Sequence, residues 1–580
     1  MFKLLKKFDR YDYFTLVLIV GFIVCQVWLD LTLPDFTTRL SEAVASGSST
    51  MADVWYNGGM MLLCALGSLL CSFACVFFCA RLAGKFARNL RGSVYNKITM
   101  FSSTEMKKFS IPSFITRSTN DVVQIQMFLA IGLQVFIKAP ILAVWAITKI
   151  SNTSVEWTSA IMITVAVMVV LISLVVAFVL PKFKKVQKLI DNLNDATREN
   201  IDGVRVVRAF NAETYQQNKF EKANKALTKN QLFTAKVTGL LMPIMTLCMN
   251  GLTLAIYWIG AVLVNNAPVA ERALVIGNMV AFTQYAMQVV MAFIMLVAVF
   301  IILPRAVVSA RRINEVLDTK PIITDGTEIS PTIKTGELAF NGVTLKYPDG
   351  KDNVLDNVSF SVNKGETVAI IGATGSGKTS LISLIPRFID ASQGEVLVDG
   401  INVKNYKQKD LQNKIAVVTQ KACLFKGDIK SNVAYGYDGE INSQDVQNAL
   451  EIAEAKFVNK LENGINSEVS QGGTNFSGGQ KQRISISRAI FKQAEIIIFD
   501  DSFSALDYKT DMLVRKNIKE KLSDKTLIIV AQRIGTVKNA DKIIVLDEGK
   551  IAGIGKHNEL LGNCPLYKEI ALSQLSKEEL

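Results

Sequence analysis

Six long apolar runs occupy the first half of the chain, near Tyr13–Leu31, Val54–Ala80, Met127–Ile150, Trp157–Leu180, Val237–Val264 and Ile276–Leu303. A helix crossing a hydrocarbon core needs roughly 20 apolar residues, and each run supplies them. Ahead of the first, Lys3, Lys6, Lys7 and Arg10 alternate with Phe2, Leu4, Leu5 and Phe8. That pattern predicts a short amphipathic helix on a membrane surface. No small-residue cleavage site follows it, so the first run reads as a span rather than a signal peptide. The polar stretches after the second and fourth runs keep helical periodicity and hold few Gly or Pro residues. They predict helices continuing beyond the membrane, with tips near Phe101–Phe109 and Val207–Thr214. The pattern changes at Asp318. Pro321, Pro331 and several Thr and Asp residues mark a linker, after which short apolar strands alternate with helices. The expected division is 1–318 for the membrane half, 319–336 for the linker and 337–580 for an α/β domain.

Composition adds an orientation. The chain has 580 residues, 50% of them hydrophobic, and a mean hydropathy of +0.28. Its net charge of +13 does not call for nucleic acid, because the basic residues flank the apolar runs on one side. Arg81, Lys85, Arg88, Arg91, Lys97, Lys107, Lys108 and Arg117 follow the second run. Lys182, Lys184, Lys185, Lys188, Arg198, Arg205 and Arg208 follow the fourth, whereas the alternate loops offer only Arg39 and Arg272. The positive-inside rule then puts both termini and both long loops in the cytoplasm. Within the runs, Lys138 reads as a snorkelling cation or as a functional one, with the first slightly favoured. Cys64, Cys71, Cys75 and Cys79 read as small residues packing helix on helix. Methionines crowd the last two runs, where they suit either packing or an adaptable apolar surface.

The chemistry lies in the second half. Gly372-Ala-Thr-Gly-Ser-Gly-Lys378-Thr379 reads G-x-x-x-x-G-K-T between a short apolar strand, Thr367–Ile371, and a helix beginning at Ser380. Such a loop turns its N–H groups inward as a nest for phosphates, with Lys378 as a point charge and the Thr379 hydroxyl available to Mg²⁺. Tyr347 lies upstream; an aromatic there can stack on adenine, although alone it also reads as a surface tyrosine. Gln420 follows the strand Ile415–Thr419 and can reach Mg²⁺ or water. Phe476-Ser-Gly-Gly-Gln480 opens a helix, making a second phosphate site at a helix N-terminus. One nucleotide does not need two such sites, so the second is expected to serve another subunit. Ile496-Ile-Ile-Phe-Asp500-Asp501 is a buried strand ending in two carboxylates. Asp500 is placed for Mg²⁺ and Asp501 for the γ-phosphate and attacking water. Ser504-Ala-Leu-Asp507 follows, and Leu527–Val530 leads to Gln532.

Taken together, these motifs resemble the ATP-binding cassette (ABC) exporter family over nearly the whole chain. The resemblance implies a six-span α-helical transmembrane domain (type I exporter, or type IV ABC fold) fused to an α/β P-loop nucleotide-binding domain. It implies ATP and Mg²⁺, held by Tyr347, Gly372, Thr374, Gly375, Ser376, Gly377, Lys378, Thr379 and Ser380. Mg²⁺ would be ligated through Thr379, Gln420 and Asp500. Ser477, Gly478, Gly479, Gln480 and Asp507 would act across a head-to-tail dimer. The segments Ile115–Asp121 and Asp202–Phe210 resemble the family's intracellular loops. A multi-pass place in the plasma or inner membrane follows from the same resemblance.

Two positions depart from the family pattern. Asp501 stands where the family carries a catalytic Glu, and Gln532 where it carries a His; the one histidine, His557, lies elsewhere. Asp is one methylene shorter, which withdraws the carboxylate by roughly an ångström and can cost on the order of a hundredfold in rate. Gln532 offers a hydrogen bond but neither proton nor charge. The expectation is therefore a degenerate site beside a sound copy of the family's signature motif, Phe476–Gln480, as in heterodimeric multidrug exporters whose partner keeps Glu and His. The substrate would be a small hydrophobic or amphipathic compound. The alternatives are a homodimeric lipid flippase and an ATP-gated regulatory membrane protein with slow hydrolysis.

Overall fold

The computed structural model describes residues 2–6, 8–46, 50–151, 155–268, 271–327, 336–348 and 350–575. The chain forms two compact units. One holds Met1–Thr99 and Ile111–Thr319; the other holds Lys320–Leu580 together with the segment Met100–Ser110. Part of the expected linker, 328–335, lies outside the described residues.

Among the described residues of the first unit, six helices are long and apolar enough to cross a membrane. They extend well past the apolar runs. Met51–Thr99, at 49 residues, spans roughly 70 Å, more than twice a hydrocarbon core of about 30 Å. Its inner face is set by spacing. Cys75, Cys79 and Leu82 pack with Ile19, Ile23, Val27 and Leu31, which recur every four residues along the first long helix. Leu62, Leu69, Leu70 and Phe73 point outward and stay exposed, as lipid-facing side chains do. The methionines divide: Met245 is buried, whereas Met242, Met287 and Met291 are exposed. The tip after the fourth run is a short helix, Val204–Ala209, leading into Glu213–Gly239.

Lys138 corrects the sequence reading. Its ammonium does not extend toward an interface but lies 3.4 Å from the Asp30 carboxylate, against the first helix. A lone ammonium in hydrocarbon is costly, and a counter-charge across a helix pair is the cheaper solution. A second pair, Asp35 with Lys149 at 2.7 Å, joins the same two helices.

The second unit is built on a six-stranded sheet. From one edge its strands are Lys550–Gly555, Lys542–Asp547, Thr367–Ile371, Thr526–Val530, Ile496–Asp500 and Ile415–Val418. All neighbours are parallel except the first pair. Side chains alternate between two buried faces. Ile371, Ile497, Phe499 and Ile529 enter one core; Ile370, Ile496, Ile498 and Ile528 enter the other. Burial on both faces is why these strands read as unbroken apolar runs. A smaller antiparallel sheet contains Leu355–Val362, Leu338–Leu345 and Gln393–Val398.

The segment Met100–Ser110 contributes a helix, Ser103–Phe109. Ser102 and Glu105 form a reciprocal capping box at its start, the S-x-x-E pattern that closes two orphan N–H groups. Glu105 is buried, and its carboxylate also accepts from the N–H of Ile322 at 2.7 Å.

Candidate nucleotide site

The parallel strands put their C-terminal ends on one edge, where α/β sheets place their ligands. Thr367–Ile371 runs into the phosphate loop, Ile496–Asp500 ends at the two carboxylates, Thr526–Val530 leads to Gln532, and Ile415–Val418 to Gln420. The helix after the loop begins at Lys378, two residues earlier than the sequence predicted.

Glycine is required at two of the loop positions. A Cβ at Gly372 would stand 2.1 Å from the Leu546 carbonyl oxygen. At Gly377, with φ +96°, a Cβ would meet the Val354 carbonyl oxygen at 2.8 Å. Lys378 folds back into the loop, donating to the carbonyls of Gly372 at 2.8 Å and Ala373 at 2.7 Å. Burial pushes its pKa down, while Asp501 and Asp500 oppose the shift. Ser376 is buried beneath the loop, and Thr374 and Gly375 form its exposed tip. The Thr379 hydroxyl lies 3.3 Å from Asp500, a hydroxyl and a carboxylate side by side as hard donors for Mg²⁺. Burial raises the Asp500 pKa, against the Thr379 hydrogen bond. A cradle closed to a Cβ at Gly372 and Gly377, a lysine already inside it and paired oxygen donors fit a Mg-nucleotide.

Asp501 is positioned differently. Its backbone is left-handed, φ +45°, and is tied at both ends. Its N–H donates to the Val530 carbonyl at 3.0 Å, and its carbonyl accepts from the Ser504 hydroxyl at 2.8 Å. One carboxylate oxygen accepts from two amides, Gln532 at 3.1 Å and Gln420 at 3.3 Å. Sequence reasoning missed what holds Gln532. Gln574, on the helix Pro565–Gln574, donates to the Gln532 carbonyl at 2.9 Å and accepts from the Ile534 N–H at 2.8 Å. Nothing in the local pattern around Gln574 marks it.

The other predicted residues divide into two groups. The Tyr347 hydroxyl sits 3.1 Å from Ser380, and the Lys107 ammonium lies 4.9 Å from the centre of its ring. Ser477 caps the helix Gly478–Phe491 in a reciprocal box with Gln480. A Cβ on Gly479 would approach the Ala505 carbonyl at 3.2 Å, so this helix start packs on the turn before Asp507. Asp507 caps Tyr508–Lys521, and the Thr510 N–H holds its carboxyl below the usual range. Ser477 and Gly478 are exposed, and among the described residues no hydrogen bond joins them to the phosphate loop. His557 bonds the Tyr567 hydroxyl at 2.7 Å, away from these groups.

Residues 355–504 match the ABC transporter family, and residues 16–314 match the ABC transporter transmembrane region. The chain belongs to the ABC transporter family. An uncharacterized ABC transporter ATP-binding protein of Mycobacterium tuberculosis is 37% identical over 550 residues, covering 94% of this transporter chain and 93% of its own. The ATP-dependent lipid A-core flippase of Pseudomonas fluorescens is 29% identical over 586 residues, covering 98% and 95%. Among solved structures, a bacterial Atm1-family ABC exporter with ATP bound superposes with a TM-score of 0.81 at 23% identity, covering 97% of this chain and 99% of that one. The transporter therefore has the ABC exporter fold, six candidate spans fused to a nucleotide-binding domain that uses ATP with Mg²⁺. Proteins of this architecture act as dimers in a bilayer.

Proposed function

We propose that this transporter chain is the degenerate-site half of a heterodimeric exporter for hydrophobic or amphipathic compounds. It would bind ATP through Lys378, Thr379, Asp500 and Tyr347 while hydrolysing it poorly. The observation that carries this reading is the fixed backbone of Asp501. With both ends of its backbone tied, the reach of the carboxylate is that of an Asp side chain. Its two amide neighbours, Gln420 and Gln532, supply no proton and no charge.

The signature side supports the same reading. Ser477, Gly478 and Gly479 present a capped helix start, exposed and available to a nucleotide held by a partner chain. Bound ATP with Mg²⁺ supplies the γ-phosphate whose loss drives the cycle. This chain's residues hold that phosphate at the degenerate site and complete the partner's site through Ser477. Both termini and the two long helical extensions would lie in the cytoplasm, with the domain division at 318 and 336.

The test is ATPase activity of the purified chain, alone and with a second half-transporter carrying Glu and His. Activity in the mixture alone, lost on changing the partner's Glu and kept on Asp501→Ala, is the expected result. Family-typical activity in the chain alone overturns the proposal. It would favour the second reading, a homodimeric lipid flippase, to which the likeness to the lipid A-core flippase points.

A further inference from the structure

The nucleotide site does not account for a polar assembly inside the apolar half. Lys138 lies near the middle of the apolar run Met127–Ile150, roughly 17 Å from either end at 1.5 Å per residue. Its one hydrogen-bond partner among the described residues is Asp30, at a long 3.4 Å. A lysine carries three donors, so this ammonium can engage a further acceptor in the region where an uncompensated charge is most costly. Asp30 is also engaged by the Ser68 hydroxyl at 2.5 Å, and Gln288 donates to its backbone carbonyl at 2.9 Å. The neighbouring pair is tighter: Asp35 meets Lys149 at 2.7 Å and the Tyr285 hydroxyl at 2.5 Å.

The helix carrying Lys138 is irregular on both sides of it. Phe128–Gly132 is a π-helical turn and Pro140 lies inside the following helix. A Cβ at Gly132 would come within 2.8 Å of the Phe128 ring, so any side chain there would have to displace that ring. Gln134 spends its amide on the Ala130 carbonyl within that turn. Two helical defects around one intramembrane cation are hard to ascribe to packing alone, and π-turns concentrate at functional sites.

We infer that the slack Asp30–Lys138 pair receives the headgroup of a zwitterionic amphiphile, its phosphate on Lys138 and its ammonium on Asp30. This rests on the amphipathic-substrate reading above. Charge balance selects the class. An anionic headgroup on Lys138 would leave Asp30 uncompensated in low dielectric, and a cationic one on Asp30 would strand Lys138. A zwitterion exchanges partners with both and leaves the net charge unchanged. The wider pair is the one a headgroup can part; the tighter pair, with Tyr285, serves as a fixed boundary.

The test uses the full-length protein in a nonionic detergent, without nucleotide. It is titrated with phosphatidylethanolamine, phosphatidylglycerol and a cationic diacyl lipid, all bearing the same fluorescent acyl chain. Phosphatidylethanolamine is expected to bind about tenfold tighter than the other two. The neutral double variant Asp30→Asn with Lys138→Met should lose that preference while eluting as the native protein does. Asp30→Glu, which retains the charge and closes the gap, should weaken phosphatidylethanolamine selectively. Equal affinities for the three lipids in the native protein overturn the proposal, as does an unchanged preference in Asp30→Glu or in the folded double variant. ATP takes no part in the titration, so this result stands apart from the ATPase test of the heterodimer.

Discussion

On one side of the nucleotide pocket, Lys378 and Asp500 are buried and set by backbone geometry that tolerates no side chain at Gly372. On the other, the Asp501 carboxylate hangs from a tied backbone between two neutral amides. Both sides use the same sheet edge and the same kind of strand end. They differ in what the last ångström must do. Phosphate binding draws on many N–H dipoles and one cation, so it survives small errors in any one of them. Activating water needs one oxygen at one point, so on the proposed reading a missing methylene is felt directly.

The largest expected effect separates the two sides outright. Lys378→Ala should weaken ATP binding about a hundredfold, the scale of truncating one partner of a buried charge contact. Asp501→Ala should leave binding near the native value. Titration of each variant with a fluorescent ATP analogue checks this. Comparable losses in both would mean that Asp501 belongs to the binding side and that the contrast is false.

Repair is the next measurement. Asp501→Glu combined with Gln532→His should raise ATPase activity by about a hundredfold in a complex whose facing signature is sound. ATP affinity should stay unchanged. Steady-state phosphate release reads the rate, and the analogue titration reads the affinity. If the rate does not rise, the deficiency lies in the facing signature rather than in this chain's base.

Much of this was legible in the sequence. The six apolar helices follow from run length, because a hydrocarbon core sets a minimum that few other structures meet. The phosphate loop, the carboxylate pair and Gln532 were legible because each sits at a strand end, where local pattern and function coincide. What escaped was long-range. Asp30 and Asp35 close the first apolar run and look like its boundary; their partners Lys138 and Lys149 lie more than a hundred residues away. No periodicity links such positions. Gln574 escaped for the same reason, since its role comes from a helix returning to Gln532 and Ile534. The helical tip near Phe101–Phe109 was legible, but the partners that group Met100–Ser110 with the second unit, such as Ile322 for Glu105, were not, because no local rule encodes them.

That segment gives the smallest and most selective change. Burial works against the ionised form of Glu105, but hydrogen bonds from Ser102, the Ile322 N–H and its own backbone outweigh it and hold its pKa below the ordinary 4.5. A carboxylate with a lowered folded-state pKa stabilises the protein above its unfolded value, and that contribution is lost as pH falls through the folded pKa. Glu105→Gln should therefore cost about 1–2 kcal/mol at neutral pH, the scale of hydrogen bonds to a charged acceptor. The difference from the native chain should shrink as pH falls below 4.5, the unfolded value, and through the lower folded pKa at which the native carboxyl takes up its proton. Thermal unfolding at neutral and acidic pH measures both. The same helix carries Lys107 over the Tyr347 ring, so loosening it should disturb only the binding side of the pocket. A small loss of ATP affinity with an unchanged turnover rate is the expected signature. A fall in turnover at unchanged affinity would place this helix on the hydrolytic side instead, and the division drawn between the two sides would have to be moved.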